Sequence, residues 1–351
     1  MKSRNAPSSR AGARRAPQPR STRSTVRGDR GDDRGSGSGK GRGGVASVVA
    51  QLRRIERDAG HGILVLDNGH TLAVSNLDKP YFPREGITKG ELMRYYARVS
   101  PVLLPLIADR PLTLERYPEG IGGPRFYQHD PGERVPDAVR VESLVNEHGE
   151  EERRLVGGEL ATLLYVVQLG AITLNAWHSR LDSPDNPDWA VLDLDPGPGV
   201  PFTRVVQVAQ AVHEEVSRRG LVAAAKTSGS RGLHLLVPMA EDATYDDSAA
   251  LAESIAAAVA RRHPRLATVQ RALRDRPKGT VYVDHMQNAR GKTLASLWSV
   301  RARPGAPVLA PLSWRQVGPS LDPKRWTVAT VPRQLARLAA RWRDEFEFAE
   351  V

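Results

Sequence analysis

In the run Trp189-Ala-Val-Leu-Asp-Leu-Asp-Pro-Gly197, apolar residues and two aspartates alternate until Pro196, Gly197 and Pro198 stop the pattern. Side chains of a strand alternate faces, so Leu192 and Leu194 enter a core while Asp193 and Asp195 share the opposite face. Two carboxylates on one face repel each other and resist burial unless something positive joins them. A divalent metal pair is one such partner. Two residues of strand separate the backbones by about 6.5 Å, from which side chains can converge on ions roughly 3.5–4 Å apart. The alternative for an isolated Asp-x-Asp is a strand end whose acids cap the next helix or face water. A third acid repeats the logic: in Gly279-Thr-Val-Tyr-Val-Asp-His-Met286, Tyr282 and Asp284 share one face, Val281 and Val283 the other.

Three further stretches supply donors. Thr227-Ser-Gly-Ser-Arg-Gly232 is a small-residue turn before Leu233-His-Leu-Leu-Val-Pro238. Backbone N–H groups of such turns can cradle phosphate oxygens, with Arg231 and His234 adding charge and donors; a plain hairpin is the other reading. Gln287 to Thr293 and Ser299 to Arg303 gather groups able to hold a polyphosphate. Lys79 lies in the loop before a helix, and Lys89 in its first turn. Lysine there opposes the helix dipole, which suits an anion such as phosphate, although one misplaced lysine is commonly incidental. Phe126-Tyr127 beside basic residues could stack bases, or pack in the core.

The elements that must position these groups are readable. Ile63–Val65 and Thr71–Val74 flank Asp67-Asn68-Gly69, a hairpin turn. Thr88 and Glu91 form a capping box ahead of a helical stripe of Leu92, Tyr95, Tyr96 and Val99. Residues 111–116 and 125–129 read as strands around a glycine-rich loop. The apolar stretch 160–177 reads as a buried helix ending near Gly170 and then a buried strand, not a membrane span. Helices follow at about 203–219 and 248–262, with paired strands at 221–226 and 233–238 between them. Glu147–Glu152 reads as a solvated turn.

Composition bounds the rest. The 351 residues contain no cysteine, which excludes disulfides, zinc–thiolate sites and cysteine nucleophiles. The net charge is +11, but residues 1–44 hold 12 Lys/Arg against 3 Asp/Glu, leaving 39 and 37 for the remainder. That Arg-, Ser-, Gly- and Pro-rich segment is expected to be a disordered tail that tethers nucleic acid through phosphate contacts, or a passive extension from a start-site artefact. A single domain is expected over 45–346.

Taken in order, Asp-x-Asp, Ser-Gly-x-x-Gly-x-His and Val-Asp-x-x-Gln-Asn before a basic loop resemble the archaeo-eukaryotic primase superfamily. More closely, they look like the polymerase domain of bacterial ATP-dependent ligase D. Asn76-Leu-Asp-Lys79, Thr88-Lys-Gly90, Ser299-Val-Arg-Ala-Arg-Pro-Gly305 and Pro323-Lys-Arg-Trp-Thr-Val328 extend the resemblance over roughly residues 60–346. It implies an α/β (α+β) primase-like fold: an N-terminal α/β portion (about 60–175), a catalytic sheet with RNA-recognition-motif-like strand order (about 176–310) and a helical end (about 311–346). It implies that Asp193, Asp195 and Asp284 are catalytic and bind two divalent cations, Mn2+ or Mg2+. Ser228, Arg231, His234, Gln287 and Arg301 match the positions that hold an NTP or dNTP substrate. Asn76, Lys79 and Lys89 match a pocket for a DNA 5′-phosphate, and Phe126 and Tyr127 match a template-contacting pair. Lysine is common in the family where this chain has Arg231. A Phe-Phe pair followed two residues on by lysine is common where it has Phe126-Tyr127 and His129.

The implied function is a template-dependent nucleotidyltransferase that fills gaps or extends ends in DNA double-strand break repair by non-homologous end joining. De novo priming, general gap filling and non-catalytic end binding are the alternatives. The expected partners are gapped or broken DNA with a 5′-phosphate, a separate DNA ligase and an end-binding protein, with no membrane association. The expected location is the bacterial cytoplasm, at the nucleoid.

Overall fold

The computed structural model describes residues 40–146 and 149–346. The chain runs α1 (Lys40–Asp58), β1 (Gly62–Val65), β2 (Thr71–Val74), β3 (Pro80–Phe82), β4 (Ile87–Thr88), α2 (Lys89–Ile107), β5 (Leu112–Arg116), β6 (Phe126–Gln128), β7 (Val141–Val145) and β8 (Glu151–Leu155). It continues α3 (Leu160–Gln168), β9 (Ala171–Trp177), β10 (Trp189–Pro196), α4 (Phe202–Arg218), β11 (Ala224–Thr227), β12 (Leu233–Pro238), α5 (Tyr245–Arg262), β13 (Ala267–Thr268), β14 (Val281–Asp284), β15 (Thr293–Ala295), β16 (Pro311–Leu312) and α6 (Leu335–Phe346).

Two sheets position the chemistry. The larger has the order β13-β14-β10-β12-β11-β16. Its four central strands, with α4 and α5 between them in the chain, have the 4-1-3-2 order of an RNA-recognition motif, as the resemblance implied. Helices α4 and α5 cover one face, where Leu192, Leu194, Leu233, Leu235, Val281 and Val283 are buried. Strand alternation sends Asp193, Asp195, His234 and Asp284 to the other face. The second sheet is β15-β9-β5-β6. Strand β15 comes from the chain after β14 but pairs with β9, so a segment expected within the catalytic sheet belongs to the neighbouring one.

The N-terminal elements form for local reasons. Gly69, at φ 80°, closes the β1–β2 hairpin where a side chain would be strained. Thr88 and Glu91 cap α2 reciprocally. Helix α1 begins at Lys40, inside the segment expected to lack order; residues 1–39 lie outside the described residues. Its Val48, Leu52 and Ile55 are buried, and the Gln51 amide pairs with both backbone groups of Val65 at 2.9 Å. Glu56 accepts from Thr88 Oγ1 at 2.5 Å and pairs with Arg94, tying α1 to the first turn of α2. The 160–177 stretch is α3 and β9, and among the described residues no helix is long and apolar enough to cross a membrane. Glu147 and His148, in the expected turn, lie outside the described residues; β8 takes up the acidic run from Glu151.

Candidate active site

Register builds the acidic cluster. Asp193 on β10 stands directly opposite Asp284 on β14 and, on its other side, opposite His234 on β12; His234 in turn faces Lys226 on β11. Directly opposed residues share a face, so Asp284, Asp193, His234 and Lys226 form one row across four strands. Asp195 lies two residues further along β10. Burial, then Asp284 and Asp195, push the Asp193 carboxyl up to about 7.

The other two acids are already engaged. Asp284 accepts from Met286 N at 2.8 Å, Gln287 Nε2 at 3.1 Å and the Tyr282 hydroxyl at 3.2 Å. Arg276 donates to Asp195 Oδ2 at 3.0 Å while its guanidinium lies 4.3 Å from the centre of the Tyr282 ring. Held in these directions, the carboxylates do not converge: among the described residues, no three His, Asp or Glu side chains are gathered closely enough to hold an ion.

The 227–232 turn closes on itself. Ser228 Oγ accepts from Gly232 N at 3.1 Å and Ser230 N at 3.3 Å, and Ser228 N donates to Gly232 O at 3.2 Å. A Cβ on Gly232 would lie 2.1 Å from the carbonyl oxygen of Leu194, so only glycine lets the turn press against β10 between the two aspartates. Arg231 reaches the Pro196 carbonyl at 3.5 Å from an exposed position. Arg301 packs its Cγ against Gly229; burial depresses its pKa, then the charge of Arg303, with Glu115 and Asp193 opposing. Ser228, Arg231, Gln287 and Arg301 therefore lie around the acids, and His234 stands beside Asp193 in the row itself.

A separate basic pocket lies at the start of α2. Lys89 is 4 % exposed and donates to Ser75 O at 3.0 Å; burial, then Lys79 and Arg116, pull its pKa down to about 8. Lys79 donates to Pro118 O at 3.0 Å and Glu119 at 2.6 Å. Asn76 is exposed at φ 55° in the loop before them. The first backbone amides of α2 are already used and give the expected anion no free donor. Lys89 N donates to Lys79 O, Gly90 N to Leu77 O and Glu91 N to the Thr88 hydroxyl, so side chains must supply the attraction for an anion. Arg116, which sequence reasoning passed over, joins this pocket to the aromatic pair: it donates to Gln128 at 2.7 Å and lies 5.1 Å from the Phe126 ring. Phe126 and Tyr127 are 46 % and 61 % exposed, which excludes the core-packing reading.

Lys226 and Arg276 were also passed over, and Asn288 entered only as part of the Val-Asp-x-x-Gln-Asn run and its donor loop. Asn288 is buried and brackets Val191, accepting from its N at 2.7 Å and donating to its O at 2.8 Å, in the manner of a strand partner. That fixes the loop carrying Gln287 against β10. Arg276 lies in a charged loop eighty-one residues beyond Asp195, where nothing local in the sequence marks it as a partner.

Comparison with known proteins settles what kind of domain this is. The family model described as LigD, primase-polymerase domain, matches residues 88–342. The chain belongs to the LigD primase-polymerase family. It is 32 % identical over 260 residues to the multifunctional non-homologous end joining protein LigD of Pseudomonas aeruginosa, covering 73 % of this chain and 31 % of that protein. It is 30 % identical over 261 residues to the bifunctional LigD of Bacillus subtilis, covering 74 % and 42 %. The chain thus spans about a third to two fifths of the curated relatives it matches. Among solved structures it is similar to the polymerase domain of Mycobacterium tuberculosis ligase D in complex with DNA: TM-score 0.72, 29 % identity, 78 % of this chain and 97 % of that one.

The donor set of this LigD primase-polymerase chain suits hard divalent cations. Three carboxylates share one face without thiolate, and imidazole enters only through His234. The raised Asp193 carboxyl marks where positive charge is short.

Proposed function

We propose that the chain is a template-dependent nucleotidyltransferase of the primase-polymerase type. It adds nucleotides to a primer end at gaps or breaks in DNA bearing a downstream 5′-phosphate, during non-homologous end joining. The observation that carries this reading is the register that sets Asp193 opposite Asp284, with Asp195 two residues further along β10.

Asp193, Asp195 and Asp284 would hold two divalent cations, Mg2+ or Mn2+, which supply activation of the primer 3′-hydroxyl and stabilisation of the pyrophosphate leaving group. Arg276 must release Asp195 for that to happen; its stacking on Tyr282 gives the guanidinium a resting place nearby. Ser228, Arg231, His234, Gln287 and Arg301 orient the triphosphate of an NTP or dNTP, Arg231 and Arg301 offsetting its charge. Asn76, Lys79, Lys89 and Arg116 bind the 5′-phosphate on the far side of the gap. The exposed faces of Phe126 and Tyr127 stack on template bases between the two. A DNA ligase and an end-binding protein complete the repair, and the basic segment 1–44 adds nonspecific phosphate contacts.

The deciding assay uses a labelled primer–template with a gap, ribo- or deoxynucleotides, Mg2+ or Mn2+, and a downstream 5′-phosphate or 5′-hydroxyl. Templated extension that favours the phosphate supports end-joining synthesis. Strand initiation without a primer transfers the reading to priming, and binding without extension to an end-binding module.

A further inference from the structure

Lys226 is an unusual residue for its place. Its side chain is 2 % exposed, on an interior strand of the sheet, and among the described residues its Nζ pairs with no carboxylate. Burying an amine is costly without good partners. Its two partners are neutral: His234 Nδ1 at 2.8 Å, and the Ala295 carbonyl of the neighbouring sheet at 2.6 Å. An ammonium has three N–H bonds and an amine two, so either form can serve both acceptors. The other ring nitrogen, Nε2, lies 3.6 Å from Asp193 Oδ1. Once Asp193 is ionised, a lone pair there would face carboxylate oxygen, whereas an N–H would be attracted to it. Both sides of the ring therefore favour the same tautomer.

We infer that Lys226 is a positioning residue of the nucleotide site: by donating to His234 Nδ1, it holds the imidazole in the tautomer protonated at Nε2 and aims an N–H into the acidic row. This rests on the reading of His234 as a nucleotide-binding residue. Phosphate oxygens only accept hydrogen bonds, so a lone pair at Nε2 would repel the triphosphate that an N–H binds. The same lysine joins β11 to β15 through Ala295, so the tautomer depends on both sheets being in place.

The test combines nitrogen-15 NMR of histidine-labelled protein with steady-state kinetics. His234→Gln identifies the signal among the nine histidines. In the wild type, His234 should be neutral with its proton on Nε2. Lys226→Met keeps the length of the side chain without its donor. It should mix the tautomers and raise the nucleotide KM by about tenfold with a smaller change in kcat, the loss expected for one misdirected hydrogen bond to a charged group. Lys226→Gln, which retains an N–H, should recover part of the affinity. A wild-type His234 protonated on Nδ1 overturns the inference. So does a Lys226→Met protein with a lower Tm but unchanged tautomer and KM, which would make Lys226 only a brace between sheets. Should that variant not fold, the wild-type tautomer decides alone. Failure of the wild type to extend primers would sink the polymerase reading while leaving the tautomer measurement intact.

Discussion

The acidic row on β10 and β14 and the basic pocket beside α2 carry opposite charge imbalances, and they are built by opposite means. The row is set by strand register: Asp193 and Asp284 are directly opposed, and moving either by one residue would send it to the other face. The pocket is assembled from a loop, a helix start and a distant strand end, with every helix-start amide near it already used. At the row, Asp193 holds its proton to near neutrality; at the pocket, the buried Lys89 loses one early. Each cluster is short of the charge its ligand would bring, a cation in one case and a phosphate in the other.

If that contrast is right, the row can be broken chemically without harming the fold. Asp193→Asn should abolish nucleotide addition while Tm holds or rises, because repulsion from Asp284 and Asp195 is relieved and an amide oxygen can still face His234 Nε2. The structure confines this outcome to Asp193, because Asp284 and Asp195 already accept hydrogen bonds. Asp284→Ala strands three donors and should cost roughly 1–3 kcal/mol, and Asp195→Ala releases Arg276. Primer extension beside thermal melting separates the three cases; near-normal extension by Asp193→Asn would remove the row from the chemistry.

Gly232→Ala attacks the same row through its backbone. The added methyl must move β10 at Leu194, between the two aspartates, and overpacking of this kind costs roughly 1–3 kcal/mol. Loss of extension should exceed the loss expected from unfolding at the assay temperature. A variant with full activity would mean that the turn yields instead of the strand.

On the basic side effects should be graded. Lys89→Ala should cost about tenfold or more of the preference for a 5′-phosphate over a 5′-hydroxyl in gapped-duplex binding. Lys79→Ala should cost less, since Glu119 already offsets that charge. Equal wild-type affinity for both ends would dissolve the pocket.

The smallest effect expected is a pH dependence. With Lys89 at about 8 against an ordinary 10.5, free protein loses the charge as pH passes 8, and phosphate binding must then take up a proton. The 5′-phosphate preference should therefore decline from pH 8 upward and flatten in Lys89→Ala. Folding should respond in the opposite direction. The unfolded chain binds the extra proton between pH 8 and 10.5, so the charged lysine's penalty, full below 8, fades across that window. A preference independent of pH would mean that Lys89 is not the contact.

How much was legible in the sequence follows from the same contrast. Alternation and turn chemistry are local, so β10, β12, β14, the Gly69 hairpin and the α2 capping box could all be read directly. Helix α1 was legible in principle, for Val45, Val48, Val49, Leu52 and Ile55 repeat at helical spacing next to the basic segment that drew attention instead. Arg276, Lys226 and Arg116 were not, because each matters through a partner brought near only by sheet pairing or a long loop. The exposed Phe126-Tyr127 pair was ambiguous for another reason: an aromatic residue looks the same in sequence whether it fills a core or faces solvent.

The 4-1-3-2 strand order also fixes how the molecule can fail. Asp193 and His234 lie on β10 and β12, the inner strands of a sheet whose outermost members, β13 and β16, are two residues each. Fraying begins at such margins, and the interior strands open only with the whole sheet. Backbone amides of β10 should consequently be among the slowest to exchange with solvent. Warming should leave each surviving molecule fully competent, so that activity falls with the number of folded copies and not with the quality of each.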